Sequence, residues 1–338
     1  MIIKQNISLK PYNTFGIEAK AADFIEINSI EGLNFIIDNF NLAHRKMMIL
    51  GGGSNILLTK DYDGLVLKMD ILGIEKIAED DNAVFVKAMA GEKWHNFVLY
   101  CVNNGYAGVE NLSLIPGCVG AAPMQNIGAY GAEIKDVCFE VEAYHTDTNE
   151  RKVFTNAECK FGYRESIFKH EAKGLYIITS VTFKLNKKAN LNISYGAIEE
   201  VLKNKNIIQP SIKDVSDAVI EIRQSKLPNP TILGNAGSFF KNPEIQTEKY
   251  LQLKEQFTDM VGYKTGDSTT KLAAGWLIEQ CGWKGKVVGN TGSHKNQALV
   301  LVNYGEATGN EIWNLALAIQ KSVLDKFGVT IVPEVNII

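Results

Sequence analysis

Three short segments hold most of the residues that could bind or transform a ligand, and the first is a run of three glycines. Gly51–Asn55 reads G-G-G-S-N and directly follows a predicted strand, Met47–Leu50. Successive backbone N–H groups in such a run can form a concave site for a pyrophosphate. Because Ile56 stands where a third fingerprint glycine would be, and no G-K-[ST] follows, the run is neither a Rossmann fingerprint nor a P-loop. A simple hairpin loop is the alternative interpretation.

The second segment, 115–131, contains no charged residue over seventeen positions. It combines four glycines with small apolar residues and the amides of Gln125 and Asn126. Such a segment can lie flat against a large planar ligand and offer it backbone N–H and C=O groups. A tight buried loop is the alternative, but the absence of charge over this length favours a cofactor-binding cradle.

The third segment, 234–243, places Ser238, Lys241 and Asn242 in one turn of small residues. It lacks the G-x-S-x-G pattern of a nucleophile elbow. No histidine lies near it in the sequence, so the residues give no support to a Ser–His hydrolase. A polar loop anchored by two phenylalanines is the plainer alternative.

Two charged residues outside these segments could also act on a ligand. The guanidinium of Arg164 can bind a carboxylate or phosphate through two hydrogen bonds, and Glu334 follows a strand-like stretch near the end of the sequence. Taken singly, a plain surface ion pair is the stronger interpretation of each residue. The five histidines are scattered without metal-ligand spacing, so we expect no metal site and interpret most of them as surface or structural residues.

The elements that must position these segments mix strands and helices without a regular βαβ order. Val137, Phe139 and Val141 alternate with more polar residues, which predicts a half-buried strand. A helix is predicted from about Glu92, with one apolar face and an end near Gly105. Further strands are predicted at 47–50, 64–69, 83–90 and 175–185.

Beyond the last of these strands the composition changes. Residues 186–209 are polar and rich in Lys and Asn, which predicts a connection between domains. Helices are predicted from about Asp214, where two prolines close the element, and over 270–281. The capping box at Thr308–Glu311 predicts the start of a long helix that ends at Gly328. We therefore expect a separate α/β domain in the C-terminal third.

Composition limits the function classes. A net charge of −3 and a pI near 6.0 predict no general attraction to nucleic acid or to anionic membranes. The five cysteines form no C-x-x-C pair, which favours a reducing compartment over a disulfide framework or a zinc site. Without a signal-peptide pattern or a long apolar run, we expect a cytoplasmic protein that does not insert into a membrane.

Together and in this order, the segments resemble those of the UDP-N-acetylenolpyruvoylglucosamine reductases, flavoenzymes that make UDP-N-acetylmuramate for bacterial peptidoglycan. The resemblance runs from Asn13-Thr14-Phe15 to Pro333-Glu334-Val335. It implies an α+β fold, with a two-subdomain FAD-binding part of the vanillyl-alcohol-oxidase type and a C-terminal α/β substrate-binding domain. The implied parts are 1–69 as the first subdomain, with the tail 329–338 packing back on it, 70–210 as the second subdomain, and 211–328 as the substrate-binding domain.

The resemblance also implies roles for single residues. Arg164 would stabilise negative charge on a substrate carboxylate, Ser238 would donate a proton, and Glu334 would assist as a hydrogen-bond donor. FAD would be bound without a covalent link, and NADPH would be the reductant. The implied cofactor-binding residues are Gly51, Gly52, Gly53, Ser54, Asn55, Pro116, Gly117, Gly120, Ala121, Gln125, Asn126, Gly128, Tyr130, Gly131 and Arg223. The implied substrate-binding residues are Tyr163, Tyr195, Lys226, Asn242, Lys284 and Gln297.

Two features qualify the resemblance. Tyr195, in Ser194-Tyr195-Gly196-Ala197, resembles the flexible tyrosine loop of the family's first subtype, so residues 186–209 would act as a lid. Cys118 stands where the family more often has Ser or Thr, and a thiol is a poorer hydrogen-bond donor.

Two other functions are compatible with the same residues. One is a flavin oxidase that acts on a hydroxy acid or sugar, and the other is a catalytically silent protein that binds a nucleotide sugar.

We expect a UDP-sugar partner and a monomer.

Overall fold

The computed structural model describes residues 2–338, so Met1, where the predicted first subdomain begins, lies outside the described residues. The fold is α+β, as predicted, and the chain forms two compact units. Unit 1 comprises residues up to Ile7 together with Ala21–Gly52 and Asp63–Gln224. Unit 2 comprises Ser8–Lys20, Gly53–Tyr62 and Ser225–Ile338. The three-part division expected from the family resemblance stays a prediction.

The strands are short and are distributed over the whole described chain. They are β1 Lys4–Ser8, β2 Lys20–Ile27, β3 Met47–Leu50, β4 Ile56–Leu57, β5 Tyr62–Met69, β6 Ile74–Glu79, β7 Ala83–Met89, β8 Gly128–Ala129, β9 Ala132–Glu133, β10 Cys138–His145, β11 Arg151–Thr155, β12 Tyr176–Asn186, β13 Gly234–Ser238, β14 Glu244–Gln246, β15 Gly262–Lys264, β16 Thr269–Leu272, β17 Val287–Val288, β18 Thr291–Ser293, β19 Val300–Asn303 and β20 Asn336–Ile337. The α-helices are α1 Ile30–Phe40, α2 Trp94–Asn103, α3 Gly196–Asn204, α4 Ile212–Lys226, α5 Thr247–Gln256, α6 Ala274–Gln280 and α7 Gly309–Phe327.

Unit 1 is built on two main sheets. The first has the order β1-β2-β5-β3, with β3 and β5 parallel, and α1 shares a buried apolar cluster with it. The second is antiparallel with the order β11-β10-β12-β7-β6, and the apolar face of α2 packs into its core. A third apolar cluster joins α3 and α4. Unit 1 therefore carries the first two glycine residues of Gly51–Asn55 and the whole of 115–131.

Unit 2 contains the sheet β13-β19-β18-β17, the smaller sheet β14-β16-β15 and the parallel pair β4–β20. Helix α7 packs against α6, β18 and β19. As predicted, Thr308 and Glu311 form a capping box at the start of α7, and Gly328 ends the helix in a left-handed conformation, with φ of +59°. This unit carries Ser238 and Glu334.

Tertiary packing corrects three of the predicted elements. Residues 186–209 are not merely a polar connection, because α3 buries Ile198 and Leu202 against α4. The predicted helix over 270–281 is a strand followed by a shorter helix, since β16 pairs with both β14 and β15. The alternation around Phe139 is broken by an irregularity in the pairing of β10 with β12. Phe139 is 46% exposed there, whereas Cys138 is buried.

No helix within residues 2–338 is long and apolar enough to cross a membrane. Among the same residues, no cluster of three or more His, Cys, Asp or Glu side chains could hold a metal ion.

Candidate active site

The first glycine segment contacts the second segment inside unit 1. A methyl group added at Gly52 would lie 2.9 Å from the Cα of Gly117, and one added at Gly51 would lie 3.5 Å from the Cβ of Cys118. Contacts under 3 Å between a Cβ and backbone cannot be accommodated without a shift of the chain. The close approach of two backbones therefore requires glycine at position 52.

Backbone hydrogen bonds fix the loop that carries Gly117 and Gly120. The carbonyl of Gly117 accepts from the N–H of Trp94 at 3.0 Å, and the N–H of Gly120 donates to the carbonyl of Ala90 at 3.0 Å. Between them, Cys118 is 7% exposed, and burial raises the pKa of its thiol. The thiol is therefore neutral near pH 7, and the residue adds no charge to the loop.

An apolar cavity of about 140 Å³ opens beside this loop in unit 1. Its walls include Gly51, Gly120 and Ala121 from the predicted cradle, together with the side chains of Met69 and Ile178. A concave, mostly apolar space with nearby backbone N–H groups is the usual form of a cofactor site. The cavity lies beside the uncharged segment 115–131, whose assignment as a cofactor-binding cradle stays a prediction.

The remaining residues of the first segment lie in unit 2. Gly53 has a φ of +60°, and a methyl group there would collide with the carbonyl oxygen of Tyr12. The carbonyl of Asn55 accepts from the N–H of Asn336 at 3.1 Å, and the Asn55 amide donates to the carbonyl of Glu334 at 3.4 Å. The turn that includes Ser54 is therefore joined to the C-terminal stretch that carries Glu334.

Arg164 lies at the tip of a turn closed by reciprocal backbone hydrogen bonds between Gly162 and Glu165. Its φ of +58° is uncommon for a residue with a side chain, and its Nη2 donates to the carbonyl of Gly128 at 2.8 Å. Its guanidinium carbon lies 5.6 Å from the ring centroid of Tyr163. The structure therefore brings Arg164 to the predicted cofactor segment and to a predicted substrate residue.

Asn126 holds this arrangement together from a fully buried position. Its amide donates to Glu133 Oε2 at 3.1 Å and to the carbonyl of Gly162 at 2.9 Å, and its Oδ1 accepts from the N–H of Lys135 at 3.0 Å. The sequence suggested that this amide faces a ligand. Instead, it supports the turn that presents Arg164.

A buried cation lies beside the same segment. Burial lowers the pKa of the Arg223 guanidinium, while a hydrogen bond to the hydroxyl of Tyr130 opposes that effect. Its Nε is buried and has no hydrogen-bond partner among the described residues. No carboxylate of those residues contributes to its pKa. An unbalanced buried charge is costly, so Arg223 is suited to an anionic or strongly polar ligand group.

His95 faces this cation from α2. Its Nδ1 accepts from the N–H of Leu114 at 2.9 Å, and Leu114 has a φ of +58°. Burial and, to a smaller extent, the charge of Arg223 lower the pKa of His95. His95 is therefore neutral near pH 7 and fixes the backbone just before segment 115–131.

Ser238 and Glu334 lie on neighbouring chain segments in unit 2. The N–H of Glu334 donates to the carbonyl of Phe239 at 2.8 Å, so the residue after Ser238 is bonded to Glu334 itself. An irregularity lies in the pairing of β13 with β19, with Gly237 at a φ of +71°, and Ser238 is exposed there next to the buried Phe239. Glu334 is half-buried.

Two of the four predicted substrate residues in unit 2 meet at the start of α6. The Oδ1 of Asn242 accepts from the N–H of Ala274 at 3.0 Å, and a methyl group added at Gly275 would lie 3.1 Å from Gln297 Oε1. Lys284 is bonded to Glu279 at 2.9 Å. Lys226 is exposed at the end of α4, and the structure gives no contact that joins it to this group.

Two supporting residues were not singled out from the sequence, His95 and Asn111. Asn111 is 3% exposed and donates both amide hydrogens to main-chain carbonyls. The available signal was only position, because Asn111 lies shortly before segment 115–131. His95 carried no such signal, since one histidine on a helix is common.

Two family models match the chain. The model for the C-terminal domain of UDP-N-acetylenolpyruvoylglucosamine reductase matches residues 229–338, and the model for an FAD binding domain matches residues 22–151. The first covers Ser238 and Glu334, and the second covers both glycine-rich segments.

Solved structures with a similar fold include a UDP-N-acetylenolpyruvylglucosamine reductase from Thermus caldophilus. It has 23% sequence identity and a TM-score of 0.67, and the match covers 100% of this chain and 99% of that one. A p-cresol methylhydroxylase with bound substrate has 11% identity and a TM-score of 0.50, over 94% of this chain and 82% of that one. These two likenesses concern the fold alone.

Other relatives are much more similar in sequence. A UDP-N-acetylenolpyruvoylglucosamine reductase from Flavobacterium johnsoniae is 56% identical over 100% of both chains. One from Amoebophilus asiaticus is 50% identical, again over 100% of both chains. Identity at this level over the whole length leaves no part of the chain outside the match. The chain therefore belongs to the UDP-N-acetylenolpyruvoylglucosamine reductase family.

Proposed function

We propose that the chain reduces UDP-N-acetylglucosamine enolpyruvate to UDP-N-acetylmuramate, with bound FAD as cofactor and NADPH as reductant, in the synthesis of peptidoglycan precursors. The observation that carries the proposal is the backbone hydrogen bond between Phe239 and Glu334, because it holds the chain segments that carry the Ser238 hydroxyl and the Glu334 carboxyl next to each other. A proton donor and a second hydrogen-bonding group are what the reduction of an enolpyruvyl ether needs.

The residues present fit FAD. The contact of Gly52 with Gly117 leaves no room for side chains, and the apolar cavity beside Gly120 suits a flat ring. The buried Arg223, with its unpartnered Nε, suits a polar or anionic part of the cofactor. When bound and reduced by NADPH, the cofactor would supply the hydride that is added to the substrate's double bond. The remaining cofactor residues are proposed to be Gly51, Gly53, Ser54, Asn55, Pro116, Ala121, Gln125, Gly128, Tyr130 and Gly131.

Ser238 is the proposed proton donor. It is exposed at the end of β13, and the buried side chains of Phe239 and Phe240 hold the strand on which it lies. A hydroxyl is a weak acid, so proton transfer from Ser238 requires neighbouring groups that polarise or reprotonate it. Addition of this proton next to the carbon that receives the hydride completes the saturated lactyl ether.

Arg164 and Glu334 are proposed to stabilise the charge that develops on the substrate carboxylate during the reaction. The turn and the Asn126 support hold the Arg164 guanidinium in place before substrate arrives, which is the condition for effective electrostatic stabilisation. Glu334, in its protonated form, would donate a hydrogen bond to the same carboxylate.

The UDP part of the substrate is proposed to contact Tyr163, Tyr195, Asn242 and Gln297, with Lys226 and Lys284 near the diphosphate. Asn242 and Gln297 support this reading because they share the start of α6. Lys284 pairs with Glu279, so diphosphate binding would compete with that ion pair. We also propose that the protein acts in the cytoplasm, as a monomer.

The experiment is an absorbance spectrum of the purified protein followed by an NADPH oxidation assay with and without the enolpyruvyl sugar nucleotide. We expect a flavin spectrum and NADPH oxidation that depends on the sugar nucleotide. Rapid oxygen-dependent turnover without that substrate would indicate an oxidase instead. A protein that stays colourless after addition of FAD would indicate a nucleotide-sugar binding protein without catalytic activity.

A further inference from the structure

Asn111 joins two segments of unit 1 that are far apart in sequence. It lies in a short turn, Glu110–Leu112, and is buried. One hydrogen bond from its amide goes to the carbonyl of Tyr130 at 2.9 Å, and the other goes to the carbonyl of Asn192 at 2.8 Å. Both donors of the amide are thus used, one on the proposed cofactor cradle and one on the segment that leads into Tyr195.

The same two segments are also bonded directly. The amide of Asn192 donates to the carbonyl of Gly131 at 3.0 Å, and the hydroxyl of Ser194 donates to Asn192 Oδ1 at 3.0 Å. A methyl group at Gly131 would lie 2.7 Å from Asn192 Nδ2. The Tyr130–Gly131 backbone therefore lies close against the side chain of Asn192.

An aromatic contact extends this connection to Tyr195. The rings of Tyr130 and Tyr195 meet edge to face, with centroids 5.5 Å apart. Tyr130 also packs against the apolar cluster of α3 and α4, while Tyr195 is 55% exposed. One side of Tyr195 is thus held by the cradle, and the other is open to a ligand.

We propose that Asn111 is a positioning residue that couples occupation of the cofactor cradle to the position of Tyr195. A cofactor that orders the Tyr130–Gly131 backbone would, through the amide of Asn111, also order Asn192 and the segment that carries Tyr195. The substrate-binding side chain would then be in place only in the cofactor-loaded protein. This inference rests on the proposed function, because that function assigns the cradle to FAD and Tyr195 to the substrate.

The test is amide hydrogen exchange of the peptide that spans 188–197, in the protein without FAD and with FAD bound. In the wild type, we expect FAD to slow exchange of this peptide at least fivefold. The aspartate side chain of Asn111→Asp has nearly the same shape as asparagine but directs a carboxylate towards two carbonyls. We therefore expect that FAD still binds and that it no longer slows hydrogen exchange in this peptide. In the same variant, KM for the sugar nucleotide should rise about tenfold, with kcat within threefold of the wild type.

Asn156→Asp is the matched control. The amide of Asn156 also donates to two main-chain carbonyls, those of Lys135 at 2.8 Å and Cys138 at 2.7 Å, but neither belongs to the Tyr195 segment. It should therefore leave the effect of FAD on exchange, and KM, unchanged. If Asn111→Asp does not fold, Asn192→Ala is the alternative variant. It removes only the hydrogen bonds of the Asn192 side chain, which is more exposed than that of Asn111. It should also weaken the effect of FAD on hydrogen exchange in this peptide.

Three results would overturn the inference. FAD could bind to the wild type, as absorbance shows, without any change in exchange of 188–197, which would leave the proposed function intact. Asn111→Asp could keep the full effect of FAD, which would exclude coupling through the Asn111 amide; the same result in Asn192→Ala would exclude coupling through the Asn192 side chain. A wild-type protein that binds no FAD would overturn both the inference and the proposed function.

Discussion

Three buried asparagines hold the loops of the candidate site by bonds to other parts of the protein. Asn126 supports the Arg164 turn, and Asn111 joins the cradle to the Tyr195 segment. Asn235 donates to the carbonyls of Pro228 and Leu233 and accepts from the N–H that precedes Ser238. A buried amide with satisfied donors and acceptors fixes a loop in one conformation, because any other conformation leaves polar groups unpaired.

Ser238→Ala separates the two halves of the reaction. Removal of the hydroxyl should leave reduction of the bound flavin by NADPH unchanged, because no proton is delivered to the sugar nucleotide in that half. Reoxidation by the enolpyruvyl substrate should slow by about 10²–10⁴-fold, the usual contribution of a positioned acid. Stopped-flow absorbance measures each half-reaction, and equal losses in both would mean that Ser238 is not the proton donor.

His95 makes stability depend on pH. Its pKa in the folded protein is lowered by burial and by Arg223, so the unfolded chain takes up the proton first as the pH falls below about 6.5. The free energy of unfolding should therefore be highest above that pH and should fall as the pH is lowered towards 5. Protonation would also remove the acceptor for Leu114.

The measurement for this prediction is urea unfolding between pH 7.5 and 5. His95→Gln keeps a hydrogen-bond acceptor but does not titrate, so its stability should change less over this range. His44→Gln, at an exposed position, should behave as the wild type. An identical pH slope in His95→Gln and the wild type would exclude the role of His95.

At the scale of elements, close backbone approach decides which segments can form the cradle. The backbone at Gly52 approaches Gly117 this closely only because both residues are glycine. Gly120 approaches Ala90 in the same way. Helices and strands set the direction of these loops, but the loops themselves make the contact. The elements therefore act as a frame, and small residues determine how near the loops come.

Gly52→Ala should disrupt this approach. The new methyl group would lie 2.9 Å from the Cα and 3.3 Å from the carbonyl carbon of Gly117, so one segment must move. We expect a loss of about 1–3 kcal/mol in the free energy of unfolding and at least tenfold weaker FAD binding, measured by urea unfolding and flavin titration. Gly162→Ala, whose methyl would meet its neighbour at an ordinary 3.6 Å, is the control. Wild-type FAD affinity in Gly52→Ala would contradict the cradle assignment.

The start of α7 offers a second test at this scale. The hydroxyl of Thr308 accepts from the N–H of Glu311 at 3.2 Å, and the Glu311 carboxylate accepts from the N–H of Thr308 at 2.7 Å. Thr308→Ala should lower the free energy of unfolding by about 1 kcal/mol, measured by urea unfolding. Thr308→Ser keeps the hydroxyl and should lose much less. Equal losses in the two variants would show that the cap does not stabilise α7.

At the scale of the whole molecule, the net charge of the protein has the same sign as the charges of the proposed ligands. The chain carries a net charge of −3, yet FAD and a UDP-sugar are both anions. Binding is therefore expected to depend on local groups rather than on the field of the whole protein, and Arg223 and the backbone N–H groups of the glycine segments are the proposed ones.

FAD should stabilise the folded protein as a whole. At a free FAD concentration one hundred times Kd, the expected gain is about 2.7 kcal/mol, because FAD binds the folded state and not the unfolded chain. Thermal unfolding of the flavin-free protein with increasing FAD measures the effect, and FMN, which lacks the adenylate half, should give a smaller shift. A Tm that does not change with FAD would contradict cofactor binding.

Local sequence determined much of this protein. The glycine run after Met47–Leu50, the uncharged segment 115–131 and the capping box of α7 are all properties of neighbouring residues, and the predicted strand and helix boundaries agree with the structure there. The α+β fold and the FAD cofactor were implied by the family resemblance that these segments carry. Short-range backbone preferences and the spacing of residue types act before any tertiary contact forms, so they can be read directly.

Tertiary structure alone decided what the buried polar side chains do. Asn126 was expected to face a ligand but bonds three other parts of the chain, and Phe139 was expected to continue an alternation that a bulge interrupts. The partners of Asn111 lie 19 and 81 positions away. A hydrogen bond over such a distance depends on how sheets and helices pack, and no pattern of neighbouring residues records it.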